Sequence, residues 1–185
     1  MSDEYSTVAF KEWAVVVDQL GSGRQALILR KGGIAEGRSG FTFKEQAFFL
    51  FPTGFHQQKE GTVLGEEVTW AAPSEDLVQL QYYAIVQQLW EIRKWDKVAA
   101  LRPFHCWSDE VLRERFAYDQ ENLLSAAFVR VYSLEKPWIL PNEKKYGGCR
   151  SWVTLAGSPP TVSKRPVMDE STFQAMQTAV KAVLD

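Results

Sequence analysis

The stretch QLQYYAIVQQLWEIR, Gln79–Arg93, decides the fold. Read as a helix, it starts from Ser74 as a cap and sets Val78, Tyr82, Ile85 and Leu89 along one face. Read with a period of two, Val78, Leu80, Tyr82, Ala84, Val86, Trp90 and Ile92 form an apolar series that only Gln88 breaks. The alternate positions hold Gln79, Gln81, Gln87, Glu91 and Arg93. Adjacent aromatic and β-branched residues favour the second reading, so a long strand is expected here.

Working outward toward the N-terminus, FFLF at Phe48–Phe51 reads as a short buried strand stopped by Pro52. Before it, Glu12–Leu20 (EWAVVVDQL) and Gln25–Arg30 (QALILR) flank Gly21-Ser22-Gly23-Arg24. The valine run and the two-glycine linker predict a β-hairpin. A glycine-rich basic loop follows, with Gly32, Gly33, Gly37 and Gly40. Residues 61–73 read as a loop or short edge element.

Toward the C-terminus, Asp96 is expected to cap a short helix ending before Pro103. Ser108 is expected to start a second helix, running to about Tyr118, with Trp107 and Leu112 as a hydrophobic staple. Ala126–Leu134 and Ser151–Leu155 read as strands, separated by a loop with Pro137, Pro141 and Gly147-Gly148. A final helix has Ser171 and Gln174 as a capping-box pair and an apolar face of Phe173, Met176, Val180, Val183 and Leu184. Short loops between strands disfavour a doubly wound sheet. The expected fold is α+β, a mainly antiparallel curled sheet or partial barrel with peripheral helices. It is read as a single domain over residues 1–185, with residues 1–7 disordered and residues 157–166 linking to the C-terminal helix.

The 185 residues carry 45% hydrophobic residues, a globular composition. A net charge of −2 confines any nucleic-acid contact to a local basic face. Two cysteines, Cys106 and Cys149, make no disulfide framework. With no signal peptide evident, a reducing cytoplasm is the expected compartment. No apolar run approaches the roughly 20 residues that span a bilayer, so no membrane partner is expected.

Three segments, FKEWAVVVDQLGSGRQALILRKGGIAEG (Phe10–Gly37), FPTGFHQ (Phe51–Gln57) and FHCWSDEVLRERF (Phe104–Phe116), resemble the domain-of-unknown-function family 1802. RVYSL (Arg130–Leu134) and YGGCRSW (Tyr146–Trp152) extend that resemblance, which covers nearly the whole chain to Leu155. Members of that family occur occasionally as fusions to a restriction-endonuclease-like domain, so the resemblance implies a link to restriction–modification or defence and a restriction endonuclease as partner.

Four constellations merit weighing. Arg30, Lys31 and Arg38 surround the backbone of Gly32 and Gly33, an anion-binding concavity or else a solvated loop, with Glu36 weakening its field. His56, His105, Cys106 and Cys149 supply four ligand-type side chains without the short spacings of a zinc site, so no metal and no cofactor is expected. Cys149 beside Arg150 is either an activated thiol, with His56 or His105 as its base, or an inert cysteine. Arg93, Lys94, Lys97 and Arg102 lie near Trp90, Trp95 and Phe104, and Lys144, Lys145 and Arg150 near Trp138 and Tyr146. Interleaved basic and aromatic residues suit DNA or RNA, although such stems also cover core edges.

Two catalytic patterns fall short. Glu143-x-Lys145 lacks the strand setting and the paired aspartate of metal-dependent nucleases, Asp119 being the nearest candidate. Glu66-Glu67 lacks the arginine and helix of a Nudix hydrolase. The leading expectation is a non-catalytic nucleic-acid-binding accessory module, with phosphate met by the glycine loop and a pocket near His56 or Trp107. The alternatives are a small-ligand protein or enzyme using His56, His105, Cys149 and Arg150, and a protein-interaction module marked by an exposed apolar patch.

Overall fold

Leu77–Ile92 is one continuous strand, β4, and the sheet is built on it. A computed structural model describes residues 5–31, 42–54, 60–65, 67–118 and 121–185. Gly32, Gly33, Glu36, Gly37, Arg38, Gly40, His56, Glu66 and Asp119 lie outside the described residues.

The other strands are β1 (Val8–Trp13), β2 (Leu27–Arg30), β3 (Ala47–Thr53), β5 (Leu124–Pro141), β6 (Trp152–Thr154) and β7 (Lys164–Pro166). They form a seven-stranded sheet in the order β2-β5-β4-β3-β1-β6, with β7 beside β5. Only β1 and β3 pair in parallel; the other pairings are antiparallel. The end strands β2 and β6 do not pair, so the sheet is open. Four α-helices complete the described fold: α1 (Ala14–Gly21), α2 (Trp95–Ala100), α3 (Asp109–Ala117) and α4 (Glu170–Leu184). The α+β expectation therefore holds.

Both faces of the sheet are covered. Phe10, Phe48 and Leu50 point into a core shared with α1 and α4, where Phe173, Val180 and Leu184 pack. Ala9, Phe49 and Phe51 point into a second core with Tyr5, Val78, Leu80, Trp138 and Tyr146. Alternation along β1 and β3 feeds both cores, as the strand period of two requires. The even series of β4 changes core where its pairing to β5 shifts between Leu80 and Tyr82. Val78 and Leu80 lie in the second core, Ala84 and Ile92 in the first. Tyr5, within the stretch expected to be disordered, is buried and its hydroxyl donates to the Val162 carbonyl.

Several local expectations are corrected. The N-terminal hairpin does not form: Ala14–Gly21 is helical, and β2 pairs with β5 rather than β1. Ala14, Val15, Val16, Val17 and Leu20 are all buried, so enclosure on every side overrides the β preference of three successive valines. Pro52 does not stop its strand; β3 runs through it to Thr53. Pro137 and Pro141 lie within β5, which runs beyond Leu134 to Pro141. Asp96 sits in the first turn of α2 rather than at its cap, which is Lys94. In the last helix the cap is Asp169, whose carboxylate accepts from the Thr172 backbone at 2.9 Å, not Ser171. Ser108 caps α3 as expected, accepting from Val111 N.

Pro52 survives inside a sheet because of where its nitrogen points. Val86 N donates to Gln46 O, so the even residues of β3 direct their backbone toward β4. The β3–β4 pairing ends at Phe49–Tyr83, before Pro52 is reached. No ladder bond is lost at a residue without an N–H.

Candidate functional site

Lys11, Glu12 and Trp13, at the end of β1, gather the chemically distinctive side chains of the molecule. The strand presents them because β1 pairs with β3 on one side and β6 on the other, and turns straight into α1.

Glu12 is buried to 1% exposure, a rare position for a carboxylate. Its Oε1 accepts from Trp13 N at 2.8 Å and lies 3.8 Å from an Arg30 guanidinium nitrogen. Its Oε2 has no hydrogen-bond partner among the described residues. A buried carboxylate needs compensating charge. Arg30 supplies part of it, and the Arg115 guanidinium supplies more through space.

Arg115 comes from α3 and lies 3.8 Å above the Trp107 ring, with Trp13 at 5.5 Å. The two indoles meet edge-on at 4.8 Å. Burial brings the Arg115 pKa down to about 10, opposed by the Glu12 charge. One guanidinium nitrogen, Nη1, is buried without a hydrogen-bond partner among the described residues. Gly61 is required beside this stack, because a Cβ there would stand 2.7 Å from the Trp13 ring.

On the other side, Arg30 Nε and NH2 donate to Ser151 Oγ at 3.2 and 3.1 Å. The Ser151 carbonyl accepts from Lys11 N. Lys11 Nζ donates to the carbonyls of Tyr146 and Gly148 at 2.7 and 2.9 Å. Burial, then the neighbouring Arg150 and Arg30 charges, hold the Lys11 pKa below that of a free lysine, while Cys149 opposes them. Arg150 is exposed and has no hydrogen-bond or ion-pair partner among the described residues. Gly148 adopts φ +79°, a left-handed turn that glycine tolerates, and this shapes the loop carrying Cys149 and Arg150. Arg30 thus bonds Ser151, the Lys11 ammonium lies within the field of Arg30 and Arg150, and the buried Glu12 carboxylate stands against Arg30. The arrangement can hold an anion by charge-assisted hydrogen bonds.

The residues expected to be functional divide accordingly. Arg30 and Arg150 come together, with exposed Cys149 beside them, and Lys31 continues from the end of β2. Trp107 is 1% exposed, so it holds Arg115 rather than offering a face to a base. His105 is buried; its Nδ1 accepts from Trp107 N and it makes no hydrogen bond to Cys149 or Arg150. Burial, then the Arg102 charge, bring the His105 pKa down to about 4. Burial and, after it, the Glu12 charge push the Cys106 thiol up to about 12.

Many cations of the two basic–aromatic patches have internal partners. Arg93 pairs with Glu91, Arg102 with Asp109 and Lys145 with Glu143, while Lys97 donates to the Leu184 carbonyl. Among the described residues, no three His, Cys, Asp or Glu side chains gather as metal ligands. Lys11, Glu12, Ser151 and Arg115 were not singled out from sequence. The adjacent Lys-Glu-Trp on a strand read as apolar was the available signal for the first two.

The chain matches the family described as Domain of unknown function (DUF1802) over residues 9–179. It belongs to that family. No match was found among curated proteins. Among solved structures, the chain is similar to a serine-to-alanine variant of an ASCH protein from Zymomonas mobilis. That pair shares 10% identity over 96% of this chain and 98% of the other, with a TM-score of 0.48. The ASCH protein from the same organism without that substitution gives 10% identity, 92% and 93% coverage, and a TM-score of 0.46. A likeness this distant carries neither a shared activity nor a shared ligand.

Proposed function

We propose that this DUF1802 chain is a nucleic-acid-binding accessory module that meets phosphate through Lys11, Arg30 and Arg150. The observation that carries the reading is the gathering of these cations near Ser151: Arg30 bonds the Ser151 hydroxyl, the Lys11 ammonium sits on the Tyr146 and Gly148 carbonyls, and the Arg150 guanidinium is exposed with no partner among the described residues. Lys31, and with it Gly32, Gly33, Arg38 and His56 of the sequence reading, would extend the phosphate contact. Of the two candidate bases for Cys149, His105 is buried and makes no hydrogen bond to it, which favours a binding over a cleaving role in this proposal. The fusions to restriction-endonuclease-like domains that the family resemblance implies support, as a further part of this proposal, a role beside a restriction endonuclease in restriction–modification or defence.

Fluorescence anisotropy with single- and double-stranded DNA and RNA, over a series of salt concentrations, tests the binding reading. Arg150→Ala is expected to weaken binding at low salt by several-fold without affecting folding. No binding of any of the four probes at low salt would end the proposal. For the defence link, a plaque assay should show protection lost with Arg150→Ala; equal plating on both strains removes that link.

A further inference from the structure

Between β3 and β4 the sheet is split. The two strands pair only over Ala47–Phe49 and Tyr83–Ile85, then diverge. The gap is a cleft of about 960 Å³, walled by Leu50, Phe51 and Pro52 on one side and by Leu77, Gln79 and Tyr82 on the other.

The backbone of both walls is oriented into it. Asn142 N donates to Asp76 O, and the register from Leu77–Pro141 to Leu80–Trp138 continues that ladder. Val78 and Leu80 therefore turn their amides toward β5, while Leu77 and Gln79 turn theirs toward the cleft. Leu77 N is taken up by Ser74 Oγ. The Leu77 carbonyl and both backbone groups of Gln79 remain. Across the gap, the even-numbered residues of β3 face the cleft; the Phe49–Tyr83 pairing commits the Leu50 N–H to the Tyr82 carbonyl, so Leu50 and Pro52 each offer a carbonyl. A sheet interior does not ordinarily leave two edges unpaired.

We infer that this cleft takes an extended peptide segment of a partner protein, added as a strand between β3 and β4. The segment would carry apolar side chains at alternate positions and one basic residue. Backbone groups on both walls supply the pairing that strand addition uses. The apolar requirement follows from Leu50, Phe51 and Val78 in the lining and from Leu77 and Ile139 at the mouth, which stay 49% and 54% exposed. The basic residue follows from charge. Among the described residues, Asp18 and Glu75 line the cleft against one lining cation, Lys11, so the lining carries a net negative charge. The same acidic lining disfavours a polyphosphate chain. This site adjoins the Ser151 cluster, sharing Lys11 with it, and does not depend on the nucleic-acid reading.

A phage-displayed random peptide library of about eight residues, the length of an ordinary strand, is the probe. Selection on the purified chain should enrich alternating apolar residues with a lysine or arginine. The enriched peptide, N-methylated at alternate backbone positions, should bind at least about tenfold more weakly, the loss of one or two hydrogen bonds. Gln79→Pro removes an N–H that faces the cleft, so this variant should fold and lose the peptide to a similar degree. Leu80→Pro, which removes a bond to β5, should unfold or melt far lower. Amide exchange at Gln79 should be fast in the free protein and slow with peptide bound. The inference is overturned if no such motif is enriched, if the methylated peptide binds equally, or if Gln79→Pro unfolds as Leu80→Pro does. It is also overturned if Gln79 is already protected in the free protein, or if a single-stranded oligonucleotide displaces the peptide.

Discussion

His105 is a residue whose shifted titration falls in the mildly acidic range. Its imidazole is held neutral by burial, with a folded pKa of about 4 against 6.5 for the free side chain. The unfolded chain therefore binds a proton that the folded one refuses as pH falls. Stability contributed by this group is fully present above about pH 6.5 and is lost progressively down to about pH 4. The loss is of order 3 kcal/mol. Urea unfolding at pH 7.5, 6, 5 and 4 should show that slope, and His105→Gln should flatten it. An unchanged slope in the variant would assign the acid sensitivity to another group.

Gly21 and Glu12 are the other residues whose identity the packing dictates. A Cβ at Gly21 would stand 2.2 Å from the Tyr82 ring, at the C-terminus of α1. Gly21→Ala should therefore lower stability by about 1–3 kcal/mol, even though alanine is the better helix former. Thermal melting of the single variant, and of a Tyr82→Leu double variant that opens the space, would show whether that ring is the cause. Glu12→Gln leaves Arg30 and the buried Arg115 without their shared countercharge, and a loss of about 3 kcal/mol is expected. The same denaturation assay reads it.

At the scale of elements, the ends of α4 and the course of β5 differ most from a local reading. Asp169 caps α4 through the Thr172 backbone and also accepts from the hydroxyls of Ser171 and Thr172. Those two hydroxyls, then the Thr172 N–H, hold its carboxyl well below the usual aspartate range. Asp169→Ala should lower stability measurably, and Ser171→Ala by less, which urea titration of the pair can rank. A capping-box pattern in sequence does not distinguish two candidate caps two residues apart. What separates them is which side chain reaches a free N–H once the helix is docked.

The long strand β4 was legible because its alternation spans sixteen residues and both cores reward it. α1 was not, because a helix buried on every side has no polar stripe, and three valines in a row then look like a strand. The extent of β5 through Pro137 and Pro141 was equally hidden. Proline excludes a ladder bond only if its nitrogen faces a partner, and facing is set by register.

At the scale of the whole molecule, the net charge of −2 leaves binding to local groups. If Lys11, Arg30 and Arg150 neutralise three phosphates, the logarithm of affinity should fall against the logarithm of salt with a slope of about −2 for single strands or −3 for duplex. Titrations at four or five salt concentrations give that slope. A value near zero would mean that those cations stay with their internal partners.

The sequence by itself determined the α+β class, the central strand and the family, because long alternation and extended motif similarity are properties of the chain. It also pointed to Arg30 and Arg150 as cations of interest. Only the tertiary structure decided that they meet around Ser151, with Glu12 buried beneath, while His105 and Trp107 are enclosed in the core. Arg30 and Ser151 are 121 residues apart, and no local rule sets a distance between them. The cleft between β3 and β4 has the same origin. Its unpaired edges exist because two strands pair for three residues and then part, and that divergence is fixed by what each strand packs against.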